Sequence, residues 1–348
     1  MKVVVVGATG NVGTSLLRAL ADEPAVDSIL GVARRRPELD APKTDWAEAD
    51  IAEAELEPLF RAADAVVHLA WLIQPSRDLD ALWRTNVLGS TRLFRAVAAA
   101  HVPALVYASS VGAYSAGPKD RAVDESWPTG GVPTSFYARH KAEVERRLDA
   151  FEREVPQVRS VRLRPGLIFK REAAAGIRRL FAGPLLPGSL LRRSLVPIFP
   201  DVAGLRFQGV HSYDVGDAYR LAIVGDARGA FNVAADPVLD PPELARLLGA
   251  RLVPVPPGLV RGATGLAWRL HLQPTPPGWV DLALGVPIMD TGRARRELGW
   301  APRHSAVDAL RELMEGLREG VGVKTPPLDP KTTAPARIRE FLTGVGRR

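Results

Sequence analysis

The 348-residue sequence contains no cysteine, which excludes disulfides and thiol catalysis and is compatible with a cytosolic address. Its six histidines form no HxxxH pair, and with no thiolate to assist them no metal site is expected. No stretch of about 20 apolar residues could span a bilayer. Internal repeats are absent, and no signal peptide is expected, because the hydrophobic start runs straight into a glycine turn. Acids are the minority charge, 39 against 46 basic residues, giving a net charge of +7. The basic residues are mostly Arg and are scattered in pairs such as Arg146-Arg147 and Arg295-Arg296, interleaved with acids. A nucleic-acid binder would concentrate them in a stripe or on one helix, so specific recognition of DNA is not supported. Attraction to anionic cofactors or membrane surfaces remains open.

What is present begins with Lys2-Val3-Val4-Val5-Val6, a β-branched run expected of a strand buried on both faces of a parallel sheet. It feeds Gly7-Ala8-Thr9-Gly10-Asn11-Val12-Gly13 and then a helical pattern, Thr14 to Leu20. Glycines at a strand-to-helix turn allow a pyrophosphate to approach the helix N-terminus closely. The spacing is GxxGxxG rather than GxGxxG. Further strands are predicted at Asp27 to Ala33, Ala65 to Ala70 and Ala104 to Ala108, with helices over Leu82 to Ala100 and Tyr137 to Glu154. That alternation predicts an α/β fold with a doubly wound parallel sheet, whose ligands bind beyond the carboxyl ends of the strands. Ser109 and Ser110 lie just past one such end.

Tyr137 and Lys141 are four residues apart at the start of a helical pattern, so both side chains fall on one face. A nearby ammonium favours phenolate and is expected to pull the phenol's pKa down, suiting it to proton transfer in carbonyl–alcohol interconversion.

Taken in order, GATGNVG, HLA, YASSVGAY and YARHK resemble the extended short-chain dehydrogenase/reductase family, in its NAD(P)-dependent epimerase/dehydratase group. The likeness continues through Leu163-Arg164-Pro165-Gly166, Val210 to Val215, Phe231 to Ala234 and Arg293 to Trp300, covering residues 1 to about 315. It implies a Rossmann-type core over 1–169 that also receives about 210–235. A smaller C-terminal substrate-binding lobe would comprise 170–209 and 236–315, followed by a C-terminal tail over 316–348; from Lys324 onward its Pro, Thr and charge predict an extended or loosely docked segment.

Carried over residue by residue, the resemblance implies that Gly7, Thr9, Gly10, Asn11, Val12 and Gly13 surround the pyrophosphate. Asp50 and Ile51 would meet the adenine edge. Leu69 and Ala70 would lie toward the nicotinamide ribose, Asn86 would be a cofactor-binding asparagine inside the following helix, and Pro165 and Gly166 would cap the nicotinamide end. Ser110 would hold the substrate oxygen, Ser109 being its rival for that role and a cofactor contact. Tyr137 would be the general acid or base, and Lys141 would tune it and bind ribose hydroxyls. His68 is expected to be a packed residue, His140 solvated, and His211 an organiser of the fold.

NAD-preferring members usually end their second strand with an acid. Here Gly31 to Pro37 contains none, and Arg34-Arg35-Arg36 takes its place. NADP(H) is therefore the expected cofactor, with Arg34 and Arg35 as contacts and NAD as the alternative. A sugar-nucleotide 4,6-dehydratase is disfavoured because Ser110 is followed by Val111-Gly112-Ala113, which offers no acid or base. Apolar runs at Leu180 to Leu191, Val253 to Trp268 and Pro274 to Met289 point to a small-molecule substrate of apolar or aromatic character, or to ordinary lobe core. The leading function is an NAD(P)-dependent oxidoreductase. The alternatives are a nucleotide-sugar epimerase with a retained cofactor and a non-enzymatic dinucleotide-sensing protein. The two long helices predict a homodimer.

Overall fold

In the computed structural model, residues 1–74, 76–178 and 197–328 are described. The apolar run Leu180 to Leu191 and the tail beyond Leu328 lie outside them. Seven strands form one parallel sheet: β1 (Lys2–Val6), β2 (Ser28–Ala33), β3 (Thr44–Glu48), β4 (Ala65–His68), β5 (Ala104–Ala108), β6 (Arg159–Pro165) and β7 (Gly229–Val233). Their spatial order is β7-β6-β5-β4-β1-β2-β3. The order reverses between β1 and β4, the switch point at which doubly wound sheets bind ligands.

Alternation along β1 divides two cores. Val3 and Val5 enter one with Leu16, Leu17 and Leu20, while Val4 and Val6 enter the other with Leu93, Phe94 and Val97. Each buried valine contributes about 1.5–3 kcal/mol, so the run predicted as a two-faced strand is an anchor of both layers.

Helix α1 (Asn11–Ala21) covers the first face together with a later helix. On the second face, α2 (Gly89–Ala99) lies beside α3 (Phe136–Glu154). The helix predicted from Leu82 to Ala100 is not continuous: a short helix, Leu79–Trp83, passes through a π turn, Arg84–Leu88, before α2 begins. The inner wall of that turn is Asn86, whose side chain accepts from the Leu72 N–H and donates to the Leu72 carbonyl, both at 2.7 Å. Asn86 thus pairs with one backbone residue as a neighbouring strand would.

Helix α4 (Ser212–Val224) completes the first face against α1. The remaining chain builds the end of the molecule beyond the strand termini. Phe207–His211 pairs in parallel with Leu167–Phe169 and antiparallel with Ala235–Leu239. Ile198–Asp201 pairs with Arg251–Pro254. Helices α5 (Pro257–Arg269), α6 (Gly278–Gly285) and α7 (Ala306–Glu319) follow. The last helix runs to Glu319, and beyond it Thr325 and Leu328 are buried, so the chain from Lys324 to Leu328 is docked through those two residues.

Candidate active site

The carboxyl ends of β1, β4, β5 and β6 gather the predicted residues at one edge. Gly7 has φ +90°, and a Cβ there would lie 2.6 Å from the Ala70 nitrogen; one at Gly13 would lie 2.5 Å from the carbonyl oxygens of Gly7 and Ala8. The backbone of Leu69 and Ala70 therefore closes directly over the turn, which only glycine allows. Gly10 caps α1 without a side-chain hydrogen bond, leaving the helix start to an external acceptor. Thr9 is buried beside it, and Val12 packs partly against the first core.

Arg34 and Arg35 follow β2 and are exposed. Asp50 accepts from the Ala52 N–H at 2.9 Å, while Ile51 is buried against Gly89. Asn86 is spent on Leu72, so it shapes the loop after β4. Pro165 ends β6, and the Gly166 N–H reaches the Val233 carbonyl at 3.0 Å.

Ser135 caps α3, its hydroxyl accepting from the Ala138 N–H, and so fixes where the helix face begins. That face presents Tyr137 toward Ser110 and Lys141 toward β5. Ser110 caps the short turn Val111–Ala113 by accepting from the Gly112 N–H at 3.0 Å. A Cβ on Gly112 would lie 2.8 Å from the Tyr137 ring, so glycine there lets the ring lie flat against the turn. Burial around the hydroxyl raises the Tyr137 pKa, opposed by a hydrogen bond with Ser110.

This departs from the lowered value expected from the Tyr–Lys spacing. The Lys141 ammonium donates to the Ala108 carbonyl at 2.6 Å and rests on the Trp71 ring, 3.5 Å from its centre and 5.9 Å from that of Tyr137. Its own pKa is lowered by burial to about 7, with the Glu145 charge opposing. Desolvation governs both groups.

A pH dependence follows. The folded pKa of Lys141 lies below the ordinary 10.5, so between about pH 7 and 10.5 the unfolded chain binds more protons and folding stability rises with pH. Lys119 and Lys170, each lowered by burial to about 8, act in the same direction. Urea unfolding of the cofactor-free protein should give a midpoint that climbs from pH 7 toward 10. Lys141→Met should flatten the climb, and an unchanged slope in that variant would contradict the assignment.

Ser109 points the other way and donates to Glu145, while Ser110 is the hydroxyl that hydrogen-bonds with Tyr137. Glu145 continues the Tyr137–Lys141 spacing by one more turn and is almost wholly buried. It accepts from Arg162 at 3.0 Å and from Arg164 at 2.8 and 2.7 Å. Burial would raise its carboxyl, but the hydrogen bonds and charge of Arg164, with the charge of Arg162, hold it down at about 2. Arg164 also donates to Tyr114 Oη at 3.0 Å, and Tyr114 donates to Asn232 at 2.6 Å. This network ties α3 to β6 and β7 behind the site.

Two tryptophans flank Tyr137. Trp71 meets it edge-on with ring centres 5.9 Å apart, and Trp279 of α6 lies tilted at 5.1 Å. Val111, Val132, Leu282 and Val286 extend the apolar wall.

The histidines divide. His68 is buried, with Nε2 2.8 Å from Ser90 Oγ and its pKa lowered by burial to about 3. His140 is not solvated as expected: it is buried between Phe136 and Trp83, and burial lowers its pKa to about 4. His211, His304 and Glu312 bring three metal-capable groups within 4.8 Å, the one such cluster among the described residues. The two rings are stacked, and His211 uses both nitrogens, Nδ1 accepting from the Tyr213 N–H and Nε2 facing Glu312 at 3.1 Å. The cluster is a hydrogen-bonded buttress for α4 and α7.

Comparison with known proteins fits this geometry. The family model described as NAD dependent epimerase/dehydratase family matches residues 3–179, just over half of the chain. The protein belongs to that family. An uncharacterized protein of Mycobacterium tuberculosis is 27% identical over 339 residues, 94% of this chain and 86% of its own length. An L-arabinose 1-dehydrogenase (NAD(P)(+)) of Haloferax volcanii is 34% identical over 109 residues, 31% of this chain and 41% of that protein. The fold matches that of UDP-glucose 4-epimerase from Thermus thermophilus, crystallised with NAD, at a TM-score of 0.68 and 20% identity over 92% of this chain and 100% of that one.

A family enzyme of this kind uses a dinucleotide, and the residues present fit one. The cradle at Gly7 and Gly13 has no room for a Cβ, the α1 start is uncapped, and the buried Asn11 Oδ1 has no hydrogen-bond partner among the described residues. Asn11 itself is steadied by donation to the Ile168 carbonyl and by Lys170, which reaches the Asn11 carbonyl at 2.9 Å. Glu145, Trp71, Trp279 and Lys170 are the site residues that sequence reasoning misses. Only Glu145 leaves a signal: a carboxylate one turn beyond Lys141, with two arginines alternating along an otherwise buried strand.

Proposed function

We propose that the protein is an NADP(H)-dependent oxidoreductase acting on an apolar or aromatic carbonyl or alcohol. The observation that carries this reading is the apolar wall around Tyr137, built from Trp71, Trp279, Val111, Val132, Leu282 and Val286, with the Lys141 ammonium resting on the Trp71 ring.

The dinucleotide, when bound, supplies or accepts the hydride. Tyr137 holds a proton on its phenolic oxygen, and burial keeps it there at neutral pH, the form needed to give a proton to a carbonyl oxygen becoming an alcohol. Ser110 donates to the same substrate oxygen. Lys141 supplies a buried ammonium near neutrality that binds ribose hydroxyls and steadies the phenol's deprotonated form. The two indoles exclude water from the reacting carbon. A screen of aryl and alkyl ketones, following oxidation of NADPH, tests the proposal. Turnover confined to nucleotide sugars would sink it and favour the epimerase reading, which the Thermus fold likeness keeps second.

Arg34 and Arg35 are the proposed 2′-phosphate contacts. Both are exposed after β2, without an ion-pair partner among the described residues. Replacing both with alanine should weaken NADPH by at least about tenfold and leave NADH nearly unchanged. Equal losses for the two would remove them from that role. The protein is also proposed to be a homodimer through α2 and α3, and a monomeric mass by light scattering at micromolar concentration would refute this.

A further inference from the structure

Helix α5 buries none of its residues. Leu259, Leu266 and Leu270 are 65%, 59% and 57% exposed, and Leu272 just beyond is 44% exposed. Positions 259, 266 and 270 fall on one helix face, with the exposed Ala263 between them. Single exposed leucines need no explanation, but a solvent-facing stripe of them does.

The opposite side is fastened to the molecule. Arg77 lies over the Trp268 ring at 3.5 Å and donates to the Trp268 carbonyl, and Arg261 pairs with Asp281 of α6 at 2.8 Å. The leucine stripe is thus held outward rather than left by a loose helix. From Leu244 to Val280 the sequence has no acid; Arg246 and Arg261 pair with Glu243 and Asp281 outside that stretch, while Arg251, Arg269 and His271 have no ion-pair partner among the described residues.

We infer that α5 is an interfacial helix that docks the protein on an anionic bilayer, leucines inserted among the acyl chains and arginines at the headgroups. Apolar residues on one face with an acid-free cationic flank are what such helices require. At 13 residues α5 lies on the membrane rather than crossing it, and no described helix is long and apolar enough to cross. A second copy is the poorer occupant, since self-pairing of the stripe would bring Arg269, on the same helix, close to the cationic face of its partner. Helix α5 adjoins α6 on its inner side, and Trp279 of α6 flanks Tyr137, so docking through the leucine stripe would hold the site near the lipid surface. This inference stands apart from the reaction catalysed.

Co-sedimentation of the full chain with phosphatidylglycerol-containing and pure phosphatidylcholine vesicles tests it. Binding should favour the anionic vesicles, weaken with salt, and fall at least about tenfold in Leu259→Asp/Leu266→Asp. Both positions are exposed, so dinucleotide affinity should be unchanged and serves as the control for folding. No binding to anionic vesicles at low salt, or binding indifferent to the double substitution, would overturn the inference. So would a dimer that dissociates in the double variant, which assigns the face to a second copy.

Discussion

Tyr137→Phe should lower turnover by about 10²–10⁴-fold, the range over which a positioned proton donor contributes. Dinucleotide affinity should change by no more than about twofold, because the ring, its packing against Trp71 and Trp279, and the Gly112 floor are all retained. What is lost is one oxygen and its hydrogen bond with Ser110. The loss should fall on kcat and kcat/KM together, the pattern of an interaction made in the transition state. Steady-state kinetics with any ketone found in the screen, set beside calorimetric affinity, checks both halves. A variant retaining more than about a tenth of wild-type turnover would mean that another group moves the proton.

The second large effect is on stability. Glu145→Ala removes the acceptor shared by Ser109, Arg162 and Arg164. Arg162 keeps Asp149 and Glu152, but among the described residues Arg164 keeps only the Tyr114 hydroxyl and the Glu125 backbone carbonyl as hydrogen-bond partners, neither of them an anion. Leaving a guanidinium buried without its counter-charge costs about 3–5 kcal/mol. The urea midpoint should fall accordingly with the slope unchanged. The acid limb provides an independent check. Glu145 has a folded pKa of about 2, below the ordinary 4.5, so its contribution is complete above 4.5 and is lost as pH falls through 2. The variant should lack that part of the wild-type acid loss. A change under about 1 kcal/mol would show the arginines to be satisfied without Glu145.

The parts of the molecule legible in sequence are those with short-range causes. Val3 to Val6 reads as a two-faced strand because β-branching and continuity are local, and the glycine turn reads as a cradle because its steric reason lies in adjacent residues. Tyr137 and Lys141 read as neighbours because helix geometry sets their spacing. Their electrostatics do not follow, since desolvation by Trp71 and Trp279 comes from chain 66 residues before and 142 after Tyr137. His140 reads as solvated for the same reason: its burial depends on Trp83, which a remote segment supplies. The π turn at Arg84–Leu88 is invisible in sequence because one extra residue in a turn barely disturbs an apolar period, while its cause, Asn86 pairing with Leu72, is tertiary.

We propose that this family member exchanges an NADP(H) cofactor during carbonyl reduction. Calorimetric titration of the dinucleotide-stripped protein with NADPH and NADH side by side, after identifying whatever stripping releases, tests it most directly. Reversible binding with NADPH favoured by at least about tenfold is the expected result. A tightly retained NAD, released only on denaturation, would contradict it and give first place to epimerisation on a permanently held cofactor.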